Sequence, residues 1–259
     1  MIDLKYFQEY RKKLGFSNKE NTKKFLGAKD ISPSIDFQYI DKLNERLIEI
    51  IQKLNDLVVD DLKVKDIELF YQENILSIFK ILKENDILSK LNNQGRRKEE
   101  VYFSWMRGFV ISAFFQKAIS IIFGISENEI SLIGDDDLKN IENFKRTPKA
   151  DLELNINENE KWRIEVQSGF QGVNDIKQHK VLEAKKIKRE ENISSMVIHF
   201  DLFNGQVAFV KIDEIEDDSV NWITRQQMEG QTVFNIDQNY FFWKITEQPP
   251  RYNDLKSLF

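Results

Sequence analysis

Residues 147–169 decide the fold and read Thr147-Pro-Lys-Ala-Asp-Leu-Glu-Leu-Asn-Ile-Asn-Glu-Asn-Glu-Lys-Trp-Arg-Ile-Glu-Val-Gln-Ser-Gly169. Apolar and polar side chains alternate over residues 150–156 and again over 162–167, which predicts two strands, each with one apolar face. The polar residues between them, 157–161, predict a turn. The stretch is therefore expected to form an antiparallel hairpin.

This hairpin brings carboxylates together on its polar face. With the turn centred near Glu158, Asp151 lies opposite Glu165, and Glu153 lies opposite Arg163. Directly opposed side chains have Cβ atoms about 4.5–5.5 Å apart. Two carboxylates at that distance repel each other unless a cation or a proton lies between them. The pattern therefore predicts either a divalent-metal site or a half-exposed hairpin with a solvated polar face.

The composition limits which metal and which chemistry such a site can use. The 259 residues include no cysteine and only two histidines, His179 and His199. Disulfides, cysteine-ligated metals and thiol nucleophiles are excluded, and the two histidines are too far apart for an ordinary zinc-helix spacing. A divalent metal would therefore be held by oxygen ligands, which favours magnesium, calcium or manganese.

Net charge and hydropathy indicate which partners and which cellular location to expect. The net charge of −5, from 38 Lys and Arg against 43 Asp and Glu, argues against a non-specific nucleic-acid coat. It is compatible with an enzyme that concentrates cations on one face. The stretch MIDLKYFQEYRKK has no apolar signal core, and residues 101–123 are interrupted by Arg107, Gln116 and Lys117. We expect a cytoplasmic protein with no membrane partner, in which this apolar stretch is a buried helix.

The rest of the pattern divides the chain into a helical N-terminal region, residues 1–95, and a mixed core, residues 96–259. Helical periodicity over 37–59 and 67–91 predicts two long helices, and the polar segment 92–97 marks the boundary. The elements expected beyond it are, in order, an apolar helix (98–124), a short strand (129–133), the hairpin, a charged helix (173–191), an apolar strand (195–202) with its partner (205–212), and a strand pair (232–236 and 240–245). This order predicts an α/β (α+β) fold.

The same order, with Pro148…Asp151 and Glu165-Val-Gln167, resembles the PD-(D/E)xK nuclease superfamily and, within it, the type II restriction endonucleases. The resemblance covers about residues 98–202 and implies a restriction-endonuclease-like αβββαβ core. Two residues separate the proline from the aspartate. Gln167 occupies the position of the family's lysine, as in the Glu-x-Gln motif of some restriction endonucleases of this superfamily.

The resemblance implies Mg²⁺-dependent hydrolysis of phosphodiester bonds in double-stranded DNA at a specific site, by a homodimer that matches a two-fold sequence. Asp151 and Glu165 would hold Mg²⁺ together with the backbone carbonyl of Val166, and Gln167 would orient the attacking water. Two alternatives stay open. One is a repair or recombination nuclease with the same core, and the other is a non-catalytic nucleic-acid-binding protein on that fold.

The helix after the hairpin adds cations. Lys180 lies within an otherwise apolar stripe, with Lys177 beside it. It either reaches the metal site and supplies the positive charge that Gln167 lacks, or extends along the rim of the core. A basic cluster near the end of the helix is expected either to contact DNA phosphates or to complement the helix dipole; its members are Lys185, Lys186, Lys188 and Arg189.

Glu100 and Glu153 are possible accessory residues of the site. Glu100, with Glu99, begins the apolar helix and either joins the acidic site or favours the helix dipole. Arg107, within that helix, needs either an ion pair or a phosphate. Residues 135–137 are three aspartates that point in different directions, which predicts a solvated loop or a helix cap rather than a metal site. Tyr6, Tyr10 and the cations at 11–13 either contact phosphates or form a solvated helix face.

Overall fold

The computed structural model describes residues 4–16, 18–28, 30–31, 34–91, 96–133, 150–157, 160–170, 172, 174–226 and 230–255. The chain divides into two compact units after Asp36. The first unit holds helices α1 (Leu4–Leu14) and α2 (Lys19–Leu26). Asn18 caps α2, because its side chain accepts a hydrogen bond from the amide of Asn21.

The second unit begins with a helical region that packs against the rest of the unit. Its elements are α3 (Phe37–Leu57), α4 (Ile67–Tyr71), a π-helical turn (Gln72–Leu76), α5 (Ser77–Glu84) and α6 (Ile87–Lys90). The helix predicted over 67–91 continues through the π turn as far as Glu84, and the left-handed Asp86 (φ 53°) then interrupts it before α6. Residues 37–91 share their compact unit with the sheet, and the functional division near residue 95 stays a prediction.

Helix α7 (Lys98–Phe123) is the central helix of this unit, and Gly124 ends it at a φ of 67°. Tyr102 joins α7 to α3, since its hydroxyl donates a 2.6 Å hydrogen bond to Asn44 Oδ1. The helix is long and apolar enough to cross a membrane by length and composition alone. Within the protein 67% of its most apolar window is buried, as a core helix requires.

A six-stranded mixed sheet forms the layer beneath α7. Its strands, in spatial order, are β1 (Ile130–Leu132), β2 (Leu152–Asn157), β3 (Glu160–Gly169), β5 (Ser194–Asp201), β6 (Gln206–Lys211) and β9 (Phe241–Lys244). Only the β3–β5 pairing in this sheet is parallel, and helix α8 (Gln178–Glu191) lies between these strands in the chain. Glu153 pairs with Arg163, which confirms the register predicted for the hairpin.

A second sheet of three short strands corrects two predictions. It contains β4 (Asp175–Lys177), β8 (Gln231–Asn235) and β7 (Ile223–Arg225), in that spatial order. The helix predicted from residue 173 begins only at Gln178, because the residues before it pair with β8. The predicted pairing of 232–236 with 240–245 is also wrong. A 3₁₀ turn capped by Asp237 separates the two strands, and β9 pairs with β6 in the large sheet.

The two faces of the large sheet have different partners. One face packs against α7, where the ring of Phe115 stacks on Phe200 at a centroid distance of 4.0 Å. The opposite face packs against α8 and the second sheet, with Val181, Val197 and Phe234 in one buried cluster. Because side chains alternate along a strand, β3 presents its polar residues toward the α8 side.

The segment that follows Pro249 and Pro250 is packed as far as residue 255. Helix α9 (Tyr252–Leu255) buries Leu255 completely. The Tyr252 ring stacks on Phe123 at 5.3 Å and meets the edge of Trp162 at the same distance. These ring contacts hold the C-terminal segment against α7 and β3.

Candidate active site

Asp151 stands where the β2–β3 ladder ends. The last regular pair is Leu152 with Ile164, so Asp151 lies one residue beyond it, level with Glu165. Its amide donates to the Ile164 carbonyl at 3.1 Å, and its Oδ2 accepts a 2.7 Å hydrogen bond from the amide of Val166. The carboxylate thus takes the place of the next rung of the ladder, which fixes its position against β3.

The carbonyl of Val166 faces the same gap as Asp151. In an extended strand the N–H and C=O of one residue point toward the same neighbouring strand. Since the Val166 amide is bonded to Asp151, its carbonyl oxygen is also directed to the β2 side. The Val166 side chain is buried on the other face of the sheet, beside α7. The carbonyl oxygen of Val166 is therefore available to the site, while its side chain packs in the core.

Glu165 and Lys180 form an ion pair between the sheet and α8. Lys180 Nζ lies 2.9 Å from Glu165 Oε2, and the two side chains are only 17% and 14% exposed. Burial alone would lower the pKa of Lys180. The charge of Glu165, its hydrogen bond, and the charges of Asp151 and Glu183 outweigh burial and raise that pKa. Lys180 thus reaches the sheet as one sequence alternative predicted, and it is a cation at neutral pH.

A small open cleft lies over this pair, between β3 and α8. Its polar wall is formed by Arg163, Glu165, Lys180, Glu183 and Ser195. Glu183 was missed from the sequence. Its position three residues after Lys180 on a helix is the signal that places it on the same side.

Gln167 follows Glu165 by two residues on the same face of β3 and is half-buried. The parallel register places it beside His199 of β5. The motif pair Glu165 and Gln167 thus shares one face with Lys180, which is the arrangement that the predicted roles require.

The accessory candidates lie at different distances from the acidic pair. Glu153 accepts from Arg163 at 3.5 Å, and Arg163 also binds Glu191 at 2.9 Å, so these three form a network along β2, β3 and α8. Glu100 is exposed at the start of α7, and its accessory role stays a prediction. Lys177 pairs with Val233 in the second sheet.

The basic cluster of α8 is partly neutralised within the chain. Lys185 binds Asp217 at 2.9 Å, Lys186 approaches Glu190 at 3.9 Å, and Lys188 donates to Ser194 Oγ at 3.0 Å. Arg189 is exposed. Contact of this cluster with DNA stays a prediction. Pro148 and residues 135–137, which the sequence analysis also considered, lie outside the described residues.

The donor set fits magnesium better than a metal with many protein ligands. Among the residues that the structure describes, no group of three or more His, Asp or Glu side chains could hold a metal. Asp151, Glu165 and the Val166 carbonyl supply two carboxylates and one backbone oxygen. Mg²⁺ is usually bound by one or two carboxylates and retains several waters or phosphate oxygens, so this smaller set suffices for it.

His199 borders the site as a buried neutral residue. It is 3% exposed, and its Nε2 lies 2.7 Å from Asn174 Oδ1, so we assign the proton to Nε2. Burial lowers the pKa of His199 to about 4, although the charges of Asp201 and Asp175 act in the opposite direction. A role as a cationic acid at neutral pH is therefore excluded.

Acidification is expected to destabilise the protein through His199. Unfolded, this residue titrates near ~6.5, and folded, near 4, so between these values the unfolded chain binds more protons. The free energy of unfolding should therefore fall as the pH drops through this window, by about 3 kcal/mol in total. Urea unfolding at several pH values would measure it. His199→Gln should remove most of the slope, and an unchanged slope would contradict the assignment.

Gly169, the last residue of β3, allows the close approach of His199. A Cβ at this position would lie 3.0 Å from His199 Nε2 and 3.2 Å from Asn174 Oδ1. Gly169→Ala is expected to lower the free energy of unfolding by about 1–3 kcal/mol through overpacking. Gly108→Ala is the matched control, because its Cβ would meet nothing within 4 Å on α7. Equal melting behaviour of the two variants would refute this account of Gly169.

Comparisons with known proteins give one distant likeness. No family model matches the chain, and no curated protein matches it. Among solved structures, the 1.6 Å structure of Hjc from Archaeoglobus fulgidus, a Holliday junction resolvase from an archaeal hyperthermophile, aligns with a TM-score of 0.32 and 12% identity. The alignment covers 56% of this chain and 98% of that chain.

Proposed function

We propose that this protein is a magnesium-dependent DNA endonuclease of the PD-(D/E)xK type. The observation that carries the proposal is the geometry around Glu165. Its carboxylate lies level with Asp151 at the open end of the hairpin and 2.9 Å from the Lys180 ammonium. Two fixed carboxylates with one buried cation on the same face are the groups that phosphodiester hydrolysis needs.

We infer that α7, β1, β2, β3, α8 and β5 form the αβββαβ core of that superfamily. The chain order of these elements supports this inference. The antiparallel pairings β1–β2 and β2–β3, with the parallel β3–β5 pair bridged by α8, are the pairings that such a core needs. In this reading β4 and the elements after β5 are additions to the core.

Each residue then has a defined task. Asp151, Glu165 and the carbonyl of Val166 bind Mg²⁺. When bound, Mg²⁺ acidifies a water molecule and neutralises charge on the phosphoryl oxygens. Gln167 orients the attacking water from the next polar position of β3. Lys180 stabilises the negative charge that develops at the phosphate, a role that its raised pKa supports by keeping it protonated.

For the substrate we propose a specific sequence in double-stranded DNA, cut by a homodimer as type II restriction endonucleases do. The elements outside the proposed core support this choice. Helices α3–α6 and the second sheet belong to the same compact unit as the core and enlarge the surface available for reading DNA. A two-fold protein matches a two-fold site. Repair and recombination nucleases remain the alternative outcome of the test.

Digests of a long double-stranded genome, a four-way junction and a linear duplex with Mg²⁺ test the proposal. We expect discrete fragments from a long double-stranded genome and little preference for a four-way junction over a linear duplex. General nicking or junction preference would favour a repair nuclease instead. Absence of cleavage with both Mg²⁺ and Mn²⁺ would refute the endonuclease. Sedimentation of the same sample should show a dimer, and a monomer on cleaved DNA would refute the symmetric mode.

A further inference from the structure

Arg107 is a cation of α7 whose charge is not compensated within the described residues. Its Nε is buried and has no hydrogen-bond partner, and no carboxylate forms an ion pair with it in that part of the chain. Burial, and then the like charge of Arg96, lower the pKa of the Arg107 guanidinium, which nonetheless stays charged. The sequence left two alternatives for Arg107, an ion pair or a phosphate, and residues 96–133, 150–157 and the other described parts of the chain provide no ion pair.

The neighbours of Arg107 form a surface that suits an anion. The centre of its guanidinium lies 4.6 Å from the centroid of the Phe170 ring and 5.9 Å from that of Phe103. Arg96, eleven residues before Arg107, donates to the backbone carbonyl of Glu100 at 3.5 Å. We call Arg96, Arg107 and Phe170 the arginine–phenylalanine patch. Its two cations repel each other, and a bound anion would relieve both the repulsion and the desolvation.

This patch lies at the end of the strand that carries the candidate site. Phe170 directly follows β3 and is 47% exposed. Five residues of extended chain separate it from Glu165, which corresponds to about 16 Å. One turn of duplex DNA spans about 34 Å. Glu165 faces α8 and Phe170 follows on the α7 side of β3, so a duplex that crosses this end of the sheet from Glu165 would present a second phosphate to the patch.

We propose that the arginine–phenylalanine patch binds a DNA backbone phosphate away from the scissile bond. The guanidinium group of Arg107 can donate two hydrogen bonds to one phosphate. The Phe170 ring, which lies against the guanidinium, fixes its orientation. Arg96 adds a second positive charge at the rim. The proposal rests on the proposed function, since it takes DNA as the ligand.

Fluorescence anisotropy of a labelled DNA duplex in EDTA tests the patch without cleavage. Arg107→Gln should raise the dissociation constant about tenfold to a hundredfold, because a charge-assisted hydrogen bond is lost. The slope of log K against log salt should fall by about 1. Phe170→Ala should weaken binding less. Arg46→Gln is the matched control, since Arg46 is exposed on α3 and already paired with Glu49 at 2.8 Å, and it should bind like the parent.

Arg107→Lys distinguishes the fork from the charge and serves if Arg107→Gln does not fold. It should keep the salt slope but still bind more weakly than the parent. Suppose that the parent cleaves DNA and that Arg107→Gln binds DNA with the parent's affinity and salt slope. The patch is then refuted, and the proposed function stands. Where Arg107→Gln does not fold, the same conclusion follows if Arg107→Lys and Phe170→Ala each keep the parent's affinity and salt slope. A parent protein that neither binds nor cleaves DNA refutes both.

Discussion

Asp151→Ala and Glu165→Ala should each reduce DNA cleavage by at least about 10³-fold. Each variant removes one of two carboxylates that we propose bind Mg²⁺, and metal stabilisation of a phosphoryl transition state amounts to several kcal/mol. Single-turnover cleavage of a plasmid would measure the loss. DNA binding in EDTA should remain, because neither residue is needed for phosphate contacts outside the site.

The two variants should differ in stability, which separates a metal ligand from a structural residue. In the absence of metal, Glu165 is already paired with Lys180 at 2.9 Å. The Lys180 ammonium thus offsets the repulsion between the Glu165 and Asp151 carboxylates. Glu165→Ala leaves this ammonium partly buried without its partner, which should lower the free energy of unfolding by about 1–3 kcal/mol. Glu165→Gln keeps a hydrogen-bond acceptor and should unfold closer to the parent, yet be equally inactive. An active Glu165→Gln enzyme would refute the assigned metal site.

Lys180→Ala should reduce the cleavage rate about 10²–10³-fold, and Gln167→Ala only about tenfold. A well-aimed cation stabilises developing charge in a desolvated site by ~2.7–4 kcal/mol. Gln167 only orients water, and one neutral hydrogen bond contributes about 1 kcal/mol. The order of the two effects is the prediction, and single-turnover rates at saturating Mg²⁺ would establish it.

Controls for this comparison are available in the chain. Lys80→Ala removes an exposed lysine that approaches Glu84 at 3.9 Å on α5, and it should cleave like the parent. Thermal melts should show that all variants fold. If Lys180→Ala cleaves like the parent while Gln167→Ala is inactive, Gln167 alone fills the position of the family's lysine, and Lys180 only neutralises Glu165.

The sequence was sufficient to predict the hairpin and its register, because strict alternation and a polar turn leave one arrangement that buries every apolar side chain. Glu153 faces Arg163 as expected. Lys180 was also predictable as a residue that points toward the sheet, since it interrupts an apolar stripe. Its choice of Glu165 as partner depends on where α8 begins, which the stripe does not determine.

The predictions that failed depend on contacts between distant segments. Residues 175–177 continue a helical pattern in sequence, but β8, more than fifty residues later, pairs with them as a strand. Adjacent strands β8 and β9 have hairpin spacing, yet each finds a better partner elsewhere. The sequence also could not predict that Arg107 has no carboxylate partner among the described residues, because the fold determines which carboxylates lie near it.

The Mg²⁺ dependence of plasmid cleavage by the unmodified protein tests the central claim most directly. A supercoiled plasmid should remain intact in EDTA, and cleavage should appear and saturate as Mg²⁺ is added. Cleavage that persists in EDTA, or an intact plasmid at millimolar Mg²⁺ and Mn²⁺ with folded protein, would contradict the claim that Asp151 and Glu165 form a metal-dependent nuclease site.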